Sequence, residues 1–290
     1  MTEITLHQAD AFTDRPFSGN PAAVVVTEAP LDAALMQAIA AEMNLSETAF
    51  VTPAAAEDHG GDAAGSDGGI WAIRWFTPTL EVPFCGHATL AATHVMAAEL
   101  GLGSRFRFVT ARVGTLAAAQ TGPGRYALDL PRLEPEPLDH VPAAIAGLFG
   151  TPPRAAFGTF ENLFVELGDA GAVRGFRADP AAILAATAAA GLPTAGLGIT
   201  AEGGRTPAGE PVDFTSRYFA PAHGIAEDPV TGSAHATLAP WWAGRLGRGD
   251  LRAHQASARG GLIGCRVTGT RVELTGDAVT VLAARLRLPG

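Results

Sequence analysis

A chain of 290 residues exceeds the usual span of one domain, so two compact units with separate cores are expected. Apolar residues at 47% against 17% charged exclude a disordered chain. A net charge of -9 without any stripe of Lys or Arg would repel a phosphate backbone, so nucleic acid is not an expected partner.

Taken in chain order, the start at Met1-Thr2-Glu3-Ile4 lacks the basic and apolar stretches of an export signal, and the cytoplasm is the expected location. Alternating or β-branched runs predict strands at 4–8, 22–26, 49–52 and 70–76. Between them Leu31, Leu35, Ile39 and Met43 at four-residue spacing predict a helix that opens after Pro30 and stops at Asn44. Residues 54–69 hold mostly Ala, Gly, Asp and Ser, too little apolar surface to offset ordering, and predict a surface loop. Further strands are predicted at 106–110, 126–130, 163–167, 214–219, 262–268, 271–274 and 279–286. The prolines at 131, 135, 137 and 142 suit an exposed connector between domains, with a boundary near here. Residues 180–201 are uncharged but rich in Ala, Gly and Thr and broken by Gly191-Leu192-Pro193, which predicts a soluble helix and a turn, with no membrane partner.

The chain resembles itself. Phe76-Thr77-Pro78 followed by Pro83-Phe84-Cys85-Gly86-His87-Ala88 returns as Phe219-Ala220-Pro221 followed by Pro229-Val230-Thr231-Gly232-Ser233-Ala234, about half the chain later. Each copy places a Pro-x-x-Gly turn before an apolar helix, predicted at 88–100 and 234–246. Glycine lets the backbone come close to a ligand, and the first helical NH groups lack intrahelical partners and favour an anion. If the two halves pack about a pseudo-twofold axis, both helix mouths serve one carboxylate; alternatively the turns are structural relics of a duplication.

These motifs, with His7-Gln8-Ala9-Asp10-Ala11-Phe12, Phe17-Ser18-Gly19-Asn20-Pro21-Ala22, Asn44-Leu45-Ser46-Glu47-Thr48-Ala49-Phe50-Val51 and residues 227–235, resemble the phenazine-biosynthesis-like (PhzF-like) family. The resemblance implies an α+β protein of the diaminopimelate epimerase-like fold. It would have two pseudo-symmetric domains, each a curled mixed or antiparallel, barrel-like sheet around a central helix. The expected division is 1–118 with 278–290 against 119–277, the last strand crossing back to the first domain. It also implies a homodimer, no cofactor, and a cofactor-independent isomerase. In such an enzyme Glu47 shuttles a proton between carbons of a small carboxylate-bearing metabolite, supported by His87, Asp228 and Ser233. Asn20, Ser46, Cys85, Gly86, Thr231 and Gly232 are the expected substrate contacts.

Residue chemistry leaves several of these roles open. Glu47, flanked by Leu45, Ala49 and Phe50, is either a partly desolvated acid–base group or, with Ser46, a local cap. His87 suits proton transfer or a turn. Asp228 before Pro229 reads as a helix N-cap, or as a partner for His87 or a substrate amine. Ser233 lacks the Gly-x-Ser-x-Gly context of a nucleophile, which disfavours a hydrolase; His235 is expected to face another side of its helix. Racemases of the wider fold use a thiol at each helix mouth, and here the repeat places Thr231 at the second thiol position, so a racemase using Cys85 with Glu47 or Asp228 is a secondary expectation and a small buried residue the primary one. A metabolite-binding protein without catalysis is the other alternative. Cys265 is expected in a core, and Trp241-Trp242 between sheet and helix or at a dimer surface. Gly196-x-Gly198 does not lead into a helix and is no dinucleotide fingerprint. The eight histidines show no helical pair and the cysteines no zinc spacing, so no metal site and no disulfide are expected.

Overall fold

The computed structural model describes residues 3–55, 66–159, 162–177 and 179–288. The chain divides into two compact units, Met1–Leu130 with Leu274–Gly290, and Pro131–Glu273.

The first unit contains β1 (Glu3–Ala11), β2 (Asn20–Val26), α1 (Ala33–Met43), β3 (Glu47–Pro53), β4 (Ile70–Phe76) and β5 (Glu81–Val82). It continues through α2 (Gly86–His94), a π-helical turn (Val95–Glu99), β6 (Arg105–Val109), β7 (Thr115–Gly122) and β8 (Arg125–Pro131), and takes most of the chain's seventeenth strand, β17 (Arg271–Arg287). β1 pairs antiparallel with β2, β2 parallel with β3, β3 antiparallel with β4 and β4 parallel with β6. β6, β7 and β8 follow antiparallel, β8 meets β17, and β17 returns to β1. The ring of pairings closes, which removes the exposed edges of an open sheet.

Inside the ring lies α2, every residue of which is buried. Its Ala88, Thr89, Ala91, Ala92 and Thr93 are small enough for β1, β2, β3 and β7 to pack around it. At its far end His94 lies 2.8 Å from both Tyr126 Oη and Thr280 Oγ1, so the polar groups of this buried helix end are paired within the unit. α1 covers the outside, burying Met36, Ile39 and Ala40 with Leu6, Val25, Phe50 and Phe76. Its bounds follow its chemistry: the Asp32 carboxylate accepts from Ala34 N at 2.8 Å, and Asn44 adopts the left-handed conformation that ends the helix.

The second unit contains β9 (Glu136–Pro137), α3 (Ala143–Ala146), β10 (Ala155–Gly158), β11 (Asn162–Glu166), α4 (Ala170–Gly175) and α5 (Pro180–Ala189). β12 (Gly196–Glu202), β13 (Phe214–Ala220), β14 (Ile225–Asp228), α6 (Gly232–Leu246), β15 (Asp250–Gln255) and β16 (Gly261–Thr268) complete it. β11 and β12 run parallel, as do β13 and β15, repeating the parallel pairs of the first unit; the remaining neighbours are antiparallel. α6 packs on β15 and β16. Trp242 is buried and donates to Thr200 Oγ1 at 2.9 Å, while Trp241 stacks on Phe157 and donates to Glu166. Both tryptophans thus pack between helix and sheet.

The two-domain α+β fold matches expectation, with several corrections of detail. The first unit ends at Leu130, next to the proline connector that begins at Pro131, and not at 118, because β7 and β8 hydrogen-bond to β6 and to each other. It resumes at Leu274 and not at 278, since one continuous β17 replaces the two strands expected at 271–274 and 279–286. The turn expected at Gly191-Leu192-Pro193 follows α5 as predicted, and the residues after it form an unexpected strand, β12, where Gly196 and Gly198 make room for other side chains: a Cβ at Gly198 would run into the Phe164 ring, and one at Gly196 into Tyr218. The helix expected at 88–100 is α-helical only to His94. Of the loop expected at 54–69, residues 56–65 lie outside the described residues, and its end is anchored by Asp67, which accepts from Ser104 and Arg105. Among the described residues no helix is long and apolar enough to cross a membrane.

Candidate active site

In the first unit the motif at the chain start builds a tight loop between β1 and β2. Asp10 is buried and its carboxylate accepts from Phe17 N at 2.7 Å, drawing the loop shut. Phe12, Phe17 and Gly19 all have positive φ, at 63°, 68° and 62°. At Gly19 a Cβ would collide with the Ala11 carbonyl, so only glycine fits. The loop delivers Asn20, fully buried, as the first residue of β2.

Glu47 is set by a second boundary. The left-handed Asn44 ends α1, the half-buried Ser46 follows, and Glu47 opens β3 opposite Ala22 of β2. It is neither a helix cap nor a surface acid: the residue is only 9% exposed. Cys85, at the third boundary, is the N-cap of α2 but makes no side-chain cap bond, and Gly86 and His87 form the first turn.

These residues meet at one imidazole. Nδ1 of His87 lies 3.1 Å from Asn20 Nδ2 and 3.4 Å from Cys85 Sγ, and Nε2 lies 3.3 Å from Glu47 Oε2. With the Asn20 amide donating to Nδ1, the ring hydrogen sits on Nε2, on the Glu47 side. The approach to Glu47 is within ion-pair distance, yet Nε2 is not aligned there as a hydrogen bond. Burial pushes His87 down to about 3, against an upward contribution from the Pro21 carbonyl, so at neutral pH the pair is a neutral ring beside a carboxyl group and not a salt bridge. One ligand atom each from Glu47, Cys85 and His87 lie within 4.8 Å of one another. The histidine spacing predicts no metal site; this group comes from β3 and the mouth of α2, and spacing along one helix could not reveal it.

The second unit carries the corresponding helix mouth. Thr231 is the N-cap of α6, with Gly232 and the half-buried Ser233 in its first turn. Asp228 is not the N-cap that Asp-Pro suggests: it closes β14, and its carboxylate accepts from Thr231 Oγ1 at 2.5 Å. Gln255 ties this mouth together, accepting from Thr231 N at 2.8 Å and donating to the Asp228 carbonyl at 2.8 Å and Thr231 Oγ1 at 3.1 Å. Sequence reasoning missed Gln255, because its strand, Asp-Leu-Arg-Ala-His-Gln, has only two apolar residues, Leu251 and Ala253, and no β-branched one. His235 turns inward, fully buried, bonding the Thr231 carbonyl through Nδ1 at 2.8 Å; burial pushes it down to about 4. Cys265 is a core residue whose thiol burial pushes up.

A separate cavity of about 240 Å³ in the first unit is lined by Ile73, Arg74, Trp75, Glu81, Val82, Pro83, Ala111 and Arg112. It includes neither His87 nor the three residues around its imidazole, and the Arg74–Glu81 ion pair on its wall is a half-exposed strand contact.

The model of the family described as phenazine biosynthesis-like protein matches residues 9–284. The chain is 44% identical over 287 residues to an uncharacterized isomerase of Pseudomonas aeruginosa, covering 99% of both chains. It is 38% identical to the human phenazine biosynthesis-like domain-containing protein, covering 96% of this chain and 97% of the other. A crystal structure of a PhzF-family phenazine biosynthesis protein from Enterococcus faecalis superposes with a TM-score of 0.84 at 36% identity, covering 99% of this chain and 100% of that one. A probable proline racemase from Agrobacterium radiobacter, with a TM-score of 0.61 at 11% identity over 99% of this chain and 93% of that one, shares the fold.

Proposed function

This chain belongs to the phenazine biosynthesis-like protein family, and on that premise we propose that it is a cofactor-independent isomerase that moves a proton between carbons of a small carboxylate-bearing metabolite, with Glu47 as the acid and base. Relatives named isomerases, at 35–44% identity over nearly the whole chain, support the reaction class.

The observation that carries the mechanism is the neutral His87 ring 3.3 Å from the buried Glu47 carboxyl. A group that removes a proton from one carbon and returns it to another must exist in both protonation states during one turnover. A cationic partner would hold Glu47 ionised, whereas a neutral imidazole donor supports either state. Exclusion of water strengthens its interaction with charge developing on substrate. The free NH groups at the mouth of α2, around Gly86 and His87, suit the substrate carboxylate. Asn20 and Cys85 fix the His87 ring. Asp228, Ser233, Thr231 and Gly232 form the corresponding mouth of α6 in the second unit. The Thr231 hydroxyl already donates to Asp228 and accepts from Gln255, which disfavours a two-thiol racemase.

Solvent deuterium tests the proposal. Turnover in D2O of small amino, hydroxy and aromatic acids selected by a thermal-shift screen should place deuterium at a substrate carbon, and Glu47→Gln should abolish it. A Glu47→Gln variant with full exchange removes the assignment; tight binding without exchange in the native protein makes it a metabolite-binding protein.

A further inference from the structure

We infer that Glu47, Cys85 and His87 form a binding site for a thiophilic divalent cation of the zinc class, and that the bound ion inhibits the enzyme by occupying the Glu47 carboxyl group. The three side chains offer one oxygen, one sulfur and one nitrogen within 4.8 Å of one another, on residues that are 9%, 6% and 3% exposed. His87 Nε2 is buried without a hydrogen-bond partner and faces Glu47 Oε2 at 3.3 Å. A tetrahedral zinc ion, at about 2.3 Å from sulfur and about 2.0–2.2 Å from nitrogen and oxygen, spaces its ligands roughly 3.3–3.6 Å apart. Nε2 and Oε2 already stand at that spacing, and the sulfur, now 3.4 Å from Nδ1, must swing toward Nε2 to complete the set.

The donor set selects the ion. Thiolate with imidazole suits zinc, whereas magnesium and calcium prefer all-oxygen sites. Cys85 also caps α2, where the unpaired NH groups of the first turn favour negative charge. A metal-bound histidine usually hydrogen-bonds through its other ring nitrogen. Asn20, 3.1 Å from Nδ1, fills that place once its amide turns to present oxygen. Three protein ligands leave a fourth position for water or a substrate oxygen. On binding, bonds form from the metal to Sγ, Nε2 and the carboxylate. The S–H bond breaks and its proton leaves to solvent, and the ring hydrogen moves from Nε2 to Nδ1. No electrons are exchanged.

Binding stands on the three side chains alone, while inhibition rests on the acid–base reading of Glu47, so the test separates the two. Co2+ added to the full-length protein should produce a thiolate-to-cobalt absorption band that Zn2+ displaces. The band should vanish in Cys85→Ala and Cys85→Ser, persist in Cys265→Ser, and need at least ~10-fold more Co2+ in Glu47→Gln. In the unmodified protein Zn2+ should also shield Cys85 from alkylation, read by mass spectrometry, which needs no variant to fold. No cobalt band, a band that survives Cys85→Ala, or a Cys85 alkylated equally fast with and without Zn2+ overturns the site. If Glu47→Gln keeps full deuterium exchange while the native band is present, the cation site stands and the catalytic assignment of Glu47 falls.

Discussion

His87 approaches Glu47 with a hydrogen-bearing nitrogen 3.3 Å from the carboxyl oxygen, while its opposite nitrogen is held by Asn20 and Cys85. Each neighbour comes from a different place in the chain: the start of β2, the start of β3 and the cap of α2. The ring is therefore held at Nδ1 within one unit, with Nε2 turned toward Glu47, and it is kept neutral by burial. In the proposed mechanism its role is to orient and donate, not to carry charge.

A pH profile separates those roles. Burial holds His87 near 3, so the ring does not gain a proton anywhere above about pH 4. Replacing it by Phe should lower the plateau of kcat/KM by ~10²-fold or more, the scale of a lost positioned donor. Any inflection above pH 4 should stay in place. An inflection near the ordinary histidine value of about 6.5 that disappears in His87→Phe would show that the ring titrates during turnover.

In the second unit, Gln255 should matter more than its absence from any motif suggests. It is fully buried and bonds Thr231 N, Thr231 Oγ1 and the Asp228 carbonyl. Gln255→Leu keeps comparable volume but strands a buried NH and a buried carbonyl. Each unsatisfied group costs about 1–3 kcal/mol. A drop of ~2 kcal/mol or more in urea unfolding is expected; a change under ~0.5 kcal/mol would mean that the helix mouth has other support.

Acid should destabilise the fold earlier than its carboxylates alone would cause. His87 and His235 are pushed down to about 3 and about 4 by burial. His254 is pushed to about 4 by burial and by the positive Arg174. The sign follows from linkage: the unfolded chain binds these protons below about pH 6.5 and the folded chain does not, so stability is complete above that pH and falls as pH drops toward 4. Each fully buried ring contributes a slope of ~1.4 kcal/mol per pH unit in that window. His235→Gln, which keeps a donor for the Thr231 carbonyl, should reduce the slope by about one such increment. Unfolding curves at pH 7.5, 6.0 and 5.0 measure it, and an unchanged slope would mean that His235 is protonated in the folded state.

Much of this architecture is visible in the residue pattern wherever chemistry is local. α1 is bounded by Asp32 and Asn44 and marked by Leu35, Ile39 and Met43, so spacing and capping agree. The strands that spacing misses are those whose burial does not alternate with side-chain type. β7 is dominated by alanine, β12 is interrupted by the glycines that admit Phe164 and Tyr218, and β15 is polar. At the site, Asn20, Glu47, Cys85 and His87 are each identifiable in motifs, and the repeat points to both helix mouths. Their meeting at one imidazole is tertiary, and no local periodicity encodes it. Asp228 misleads for the opposite reason: Asp-Pro is a good local cap, but the backbone continues as strand to Asp228 and starts the helix only after Thr231.

Gly19 tests whether the loop of strained residues exists to place Asn20. Its φ is 62°, and a Cβ there would meet the Ala11 carbonyl oxygen and the Thr13 side chain. Backbone cannot yield as a flexible side chain does. Gly19→Ala combines this clash with a left-handed conformation that costs an L-residue about 1–2 kcal/mol by itself. The expected result is a loss of ~3 kcal/mol or more, with Asn20 displaced from Nδ1 of His87. A misplacement of that kind costs activity as well as stability, on the order of 10²-fold for a shift of about 1 Å. Gly101, also at positive φ but with open space around it, provides the comparison. Gly101→Ala should carry only the conformational cost and leave turnover unchanged. If the two variants lose stability equally and Gly19→Ala retains full activity, the loop does not hold Asn20 against the ring.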